Sequence, residues 1–187
     1  MKIRVLSMVF LGAALFMVGP AAAQAPATPP AAPAAPAANP LDVIPEKMPF
    51  ANAYGAPISL DKAEAALAAA VAEANKRGWQ MNMAVVDSGG NLVSFKRMDG
   101  AQLASIAIAE HKARVAVKFR RPTKIFENAV QSGVVYVVTL DDVVASRGGI
   151  PLIENDKIIG AIGCSGGTGS QDEATCMAGA ATINKSM

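Results

Sequence analysis

The amino-acid sequence predicts an α+β fold, and three observations carry that reading. Residues 81–97 and 150–164 each show two extended segments separated by turn residues, the pattern of a β-hairpin. Between the hairpins the apolar period changes to about 3.6 over residues 103–119, the mark of a helix. Helical patterns also open and close the region, so helices are interleaved with antiparallel hairpins rather than alternating with parallel strands.

The first helix follows Ser59, a capping residue, with Leu60, Ala63, Leu67, Val71 and Ala74 at helical spacing and Gly78 just past its end. In the first hairpin Met81, Met83 and Val85 alternate with Asn82, Ala84 and Val86. The segment 87–91, DSGGN, then supplies residues that tolerate positive φ, and residues 92–97 resume the extended pattern.

The helix over 103–119 has one narrow polar stripe of Glu110, Arg114 and Lys118. Ile106, Ala109, Ala113, Ala116 and Val117 form one apolar flank, and Ile108, Val115 and Phe119 form another. A helix with this much apolar circumference needs cover on more than one side. Ser105 and Lys112 fall inside the apolar arc, where an ammonium is costly unless a carboxylate or ligand meets it. His111, the only histidine in the chain, sits at the edge of the arc. Two readings follow: Lys112 runs its stem over apolar surface with its head in water, or Ser105, His111 and Lys112 line a pocket or a subunit contact.

Arg121-Pro122 ends the long helix, and residues 123–131 predict a shorter one with Ile125, Phe126, Ala129 and Val130 on its apolar face. The β-branched run 134–140 reads as a strand and 146–149 as a turn. The second hairpin pairs 150–154 with 157–164 around Asn155-Asp156, with Pro151 marking an edge strand or its start. A closing helix runs from Ser170 to about Asn184, with Asp172 and Glu173 as acidic first-turn residues.

Ahead of this unit, residues 1–23 have the three parts of a secretory signal: basic Lys2 and Arg4, an apolar run over 5–18, and a small-residue cleavage site at 21–23. The apolar run is short for a membrane span, so stable membrane insertion is not expected. Loss of Lys2 and Arg4, with no acidic residue in the segment, takes the formal charge from +2 to 0. The basic pI therefore belongs to the precursor, and nucleic acid is not an expected partner. Residues 24–40 form an Ala/Pro linker of extended, polyproline-like character. Residues 41–54 read as an N-terminal arm anchored by Leu41, Ile44 and Phe50, and residues 55–187 as one domain.

Four blocks carry a family resemblance: VVDSGGNLVSFKRMDGA (85–101), SIAIAEHKARVAVKFRRPT (105–123), RGGIPLI (147–153) and IIGAIGCSGGTGSQDEATCMAG (158–179). Together they resemble the GlcG-like or HbpS-like family of haem-binding, or haem-degrading domain, proteins. The resemblance implies a profilin-like domain with a central antiparallel sheet flanked by helices, assembly into homo-oligomers and, in some members, haem binding and secretion.

Residues 163–167, GCSGG, match the G-x-S-x-G elbow of hydrolases, but His111 precedes the serine where the α/β-hydrolase order places it after. As a Gly-rich loop before a helix, Ser165, Gly166 and Gly167 are candidates for anion binding, against the plainer reading of a turn and helix cap. The carboxylate pair Asp141-Asp142 reads as the start of a turn or short helix. One histidine and two cysteines do not make a zinc site, so His111 is a metal ligand only as a haem-iron ligand. Haem needs one or two axial ligands, an apolar slot and cations for its propionates.

The haem-site candidates are accordingly His111, the preferred axial ligand, and Met98 as iron ligands. Arg97, Lys112 and Arg114 are candidate propionate partners, with Ser105 in the same arc. Cys164 and Cys176 are candidates for a disulfide in an oxidising compartment. The functional expectation is a secreted or periplasmic haem-binding protein that scavenges, buffers or senses haem, with no turnover assumed. The alternative is an enzyme or sensor for a small organic acid or cofactor, using the pocket near Lys112 and the Gly-rich loop.

Overall fold

The computed structural model describes residues 42–48 and 50–184. The expected signal peptide and linker, together with Leu41, lie outside the described residues. The chain divides at Ile44/Pro45, and the elements below belong to the second unit, Pro45–Met187.

In chain order the elements are β1 (Ala53–Tyr54), α1 (Leu60–Arg77), β2 (Asn82–Asp87), β3 (Leu92–Arg97), α2 (Ala104–Lys118), α3 (Lys124–Gln131), a 3-10 helix (Val135–Thr139), β4 (Gly149–Glu154), β5 (Lys157–Ser165) and α4 (Gly169–Ala180). The α+β class is as the sequence predicts. The strand β5 is the centre of the sheet, pairing antiparallel with β4 on one side and with β2 on the other. β3 extends the sheet from β2, and β1 lies parallel to the start of β5. Asn155 and Asp156 both take positive φ, 50° and 60°, as a two-residue hairpin loop demands. Pro151 sits on the edge strand β4, where a missing N–H costs no ladder bond on the open side.

Helices cover both faces of the sheet, which is why β2 is buried over nearly its whole length instead of alternating with solvent. Met81, Met83 and Val85 point into the larger core with Leu67 of α1, Ile162 of β5 and Cys176 of α4. Val86 points to the opposite face, where it meets Ala113, Ala116 and Val117 of α2 and Ala161 of β5. The two-residue period thus sorts one strand between two cores. Close approach of α2 to β5 depends on Gly163, because a Cβ there would collide with the Ala109 carbonyl oxygen and the Ala113 backbone.

The second apolar flank of α2 is covered within the same chain. Val115 and Phe119 pack with Phe126 of α3 and with Val137 of the 3-10 helix. That packing corrects the strand expected over 134–140. The β-branched run favours extended backbone locally, but it closes over α2 away from the sheet, and burying Val137 there wins over a ladder that has no partner strand. Exposed on its outer side are Val135, Tyr136 and Val138.

The domain also begins earlier than residue 55. Ala53 and Tyr54 pair with Lys157 and Ile158, and the Tyr54 hydroxyl donates to the Val117 and Lys118 carbonyl oxygens at 3.1 and 3.0 Å, capping the end of α2. Phe50 lies under the Arg121 guanidinium at 3.7 Å, whereas Ile44 is exposed.

Candidate functional site

Where β2 begins and β5 ends, α2 and α4 bring a set of polar side chains into the interior. Lys112 Nζ donates to Asp172 Oδ2 at 2.7 Å, and the two side chains are 1% and 4% exposed. This corrects the reading of Lys112 as a surface-seeking side chain: its ammonium is buried because a carboxylate from α4 meets it. Asp172, expected as an acidic first-turn residue, also accepts from Gly167 N through Oδ1 at 3.1 Å. Thr168 caps α4, accepting from Gln171 N, while Gln171 Oε1 accepts from Thr168 N at 2.8 Å. The loop's Gly167 and Thr168 N–H groups are therefore taken by the chain's own carboxylate and amide, so the plainer turn-and-cap reading describes it.

Ser105 and Ser165 meet at 3.1 Å between their hydroxyl oxygens, and Gln102 Nε2 donates to Ser105 Oγ at 2.7 Å. Next to them Asn82, paired with Ser165 across the strands, donates to the Gln102 carbonyl oxygen at 3.2 Å. The Asn82 Oδ1 is buried without a partner among the described residues, as is Thr175 Oγ1.

His111 and Arg114 lie elsewhere, on the outer side of α2. His111 Nε2 is 2.8 Å from the Asp142 carbonyl oxygen and donates to it. The Asp142 carboxylate is 3.4 Å from His111 and accepts from Lys118. The Lys118 hydrogen bond holds the Asp142 carboxyl below its ordinary value against the opposing effect of partial burial, with the Lys118, His111 and Arg114 charges adding to it. Arg114 pairs with Glu110 at 3.2 Å. Ser105, His111 and Lys112 therefore do not share one pocket in this chain.

Arg97 ends β3 and Met98 follows it, beside the C-terminus of α1. They line a cleft of about 490 Å³ together with Val71, Trp79, Lys96 and Asp99. Lys96 is paired with Glu64 at 2.7 Å, while Arg97 makes no ion pair among the described residues. A second cleft of about 310 Å³ shares Gly78, Trp79 and Gln80 with the first and is closed by the Gly166-Gly167 loop. Of the candidate residues, the fold thus gathers Arg97, Met98, Gly166 and Gly167 around one wall. Ser105 and Ser165 lie in the interior next to it.

Sequence reasoning missed Trp79 and Gln80, the shared wall, although a signal existed: the only tryptophan of the chain follows directly on the glycine that ends α1. It also missed Asp142 as the partner of His111, since that contact spans 31 residues.

A family model described as "Haem degrading protein HbpS-like" matches residues 58–181. The chain belongs to this family. Within reach of the HbpS-like relationship, Protein GlcG of Escherichia coli strain K12 is 39% identical over 108 residues, covering 58% of this chain and 81% of GlcG. A double mutant of Streptomyces reticuli HbpS superposes with a TM-score of 0.64 at 29% identity, covering 80% of this chain and 99% of that one. PduOC, solved as a complex with heme, superposes with a TM-score of 0.62 at 29% identity, covering 68% of this chain and 96% of that one. The HbpS-like match spans Ile58–Ala181, and the residues that line both clefts lie inside it.

Proposed function

We propose that this protein is an exported haem-binding protein, periplasmic or secreted, that scavenges, buffers or senses haem as a homo-oligomer. Membership of the HbpS-like family and the likeness to PduOC, solved with heme, support the ligand class. The observation that carries the reading to a place is the larger cleft. Val71, Trp79 and Met98 give it an apolar wall, and Arg97 supplies a cation not committed elsewhere among the described residues. These residues fit the demands of an iron porphyrin: Met98 as a sulfur ligand, Trp79 against the ring and Arg97 for a propionate. When bound, the haem iron would supply ligand exchange and electron transfer, while the chain's own residues bind and orient the ring and limit its contact with water. No turnover is part of the proposal. Lys112 is not used, because its charge is already neutralised by Asp172 in the interior.

A second seat, beside His111, is favoured by one observation. His111 shares a face of α2 with Val115, one turn away, and that face carries the exposed Val135, Tyr136 and Val138 segment. Iron bound through Nε2 would have to displace the Asp142 carbonyl oxygen.

Haem titration followed by absorbance tests function and seat together. A Soret shift saturating near one haem per subunit is expected for the wild type, with loss or a changed spectrum in Met98→Ala and weaker binding in Arg97→Ala. If His111→Ala alone changes the spectrum, the seat moves to α2. If the wild type does not bind haem, the function is wrong, and the alternative of an enzyme or sensor for a small organic acid or cofactor takes its place.

A further inference from the structure

We propose that the smaller cleft is a separate site for a small neutral carboxamide. Its lining contains no charged side chain, although basic and acidic residues line the adjoining cleft. In place of charge it has three glutamines delivered by three parts of the chain: Gln80 before β2, Gln102 before α2 and Gln171 in α4. Their hydrogen-bonding groups are only partly used. Gln171 Oε1 is occupied by Thr168 N and Gln102 Nε2 by Ser105, and the Gln80 side chain has no hydrogen-bond partner among the described residues. The groups left over are the Gln80 and Gln171 NH2 donors and the Gln80 and Gln102 carbonyl acceptors.

A ligand that satisfies this set offers both an acceptor and a donor, and a primary amide does so with an oxygen and an NH2 on one carbon. A carboxylate offers acceptors only. It would face the free glutamine oxygens, with no lining cation to offset the loss of its hydration. The nearest interior charges, Lys112 and Asp172, already neutralise each other.

Two further observations mark this place as built rather than left over. Gly100 has φ 76°, and a Cβ there would stand 2.6 Å from Gln80 Nε2, so another residue would shift the Gln80 amide from its present position. Behind the lining, Asn82 follows Met81, pairs with Ser165 ahead of Gly166 and donates to Gln102, yet its buried Oδ1 has no partner. An unsatisfied buried acceptor is uncommon, and this one stands beside the lining rather than in it.

The chain reports on this site directly, because Trp79 lines it and is the only tryptophan. Tryptophan fluorescence of the full chain should respond saturably to butyramide. Butyrate and butanol, of similar size, should bind at least about tenfold more weakly, the factor that goes with one lost or mismatched hydrogen bond. Gln80→Leu should raise the butyramide midpoint by about tenfold, and because Gln80 is exposed the fold should survive the change. Gln102→Leu provides an independent check from a different element. Equal midpoints for butyramide and butyrate, no saturable response to butyramide, or unchanged midpoints in both glutamine variants would each overturn the proposal. Haem titration of Gln102→Leu separates this inference from the haem reading, since Gln102 lines the smaller cleft and not the larger one.

Discussion

Lys112 and Asp172, sixty residues apart in the chain, meet at 2.7 Å inside the domain, joining α2 to the first turn of α4. The pair ties the sheet-covering helix on one face to a helix on the other, and the second Asp172 oxygen holds the Gly167 N–H. Removing one partner leaves a buried charge alone. Lys112→Met or Asp172→Asn should therefore each cost about 3–5 kcal/mol in urea denaturation. The double replacement Lys112→Met with Asp172→Leu should cost much less than the two single changes added together. Additive losses would show that the two groups do not act as a pair.

The Cys164 and Cys176 sulfurs form a disulfide in the structure, with Cα atoms 5.6 Å apart and both residues fully buried. It fastens α4 to the central strand four residues after Asp172. The expected titre of free thiols in the denatured, unreduced protein is zero, and two would refute the bridge. Cys164→Ala with Cys176→Ala should lose about 2–4 kcal/mol, the usual range for a native bridge.

Asp142 gives a pH dependence of known sign. Its folded pKa lies below its ordinary value of 3.8, chiefly through the Lys118 hydrogen bond, so the stability it contributes is present above that ordinary value. That contribution disappears as pH falls through the lower folded value. The stability gap between wild type and Asp142→Asn should accordingly be largest near neutrality and close in acid. It should be small throughout, since the ion pair is more than one-third exposed. A gap that widens in acid would contradict the assignment.

Homo-oligomerisation is expected through apolar surface that the chain leaves uncovered. The second flank of α2, which by sequence demanded a cover, receives it from α3 and the 3-10 helix. The demand passes outward to Val135, Tyr136 and Val138, which are 60%, 56% and 56% exposed. Light scattering at micromolar concentration should give a multiple of the subunit mass, and Tyr136→Asp should reduce it. A monomeric wild type would sink this expectation.

Export is checked by intact mass. The native protein should lack about its first 23 residues, as cleavage of a signal peptide requires. Recovery of the uncleaved chain from the cytoplasm would rule it out.

What the sequence by itself determined was local and periodic. Ser59 and Gly78 bracket α1, positive-φ residues close the β4–β5 hairpin, and the 3.6-residue period marks α2, because caps, turns and helix faces are set by residues within a few positions of one another. The family blocks, read in order, carried the fold class as well. Tertiary structure decided everything that depends on distant partners. It turned a β-branched run into a 3-10 helix by packing Val137 on α2, and it buried Lys112 because Asp172 arrives from α4. It left His111 facing Asp142 on the outer side of α2. It also made Trp79 and Gln80 the wall shared by two clefts. The physical reason is the same in each case: burial, ion pairing and concavity depend on where other elements pack, and no local pattern along the chain encodes that placement.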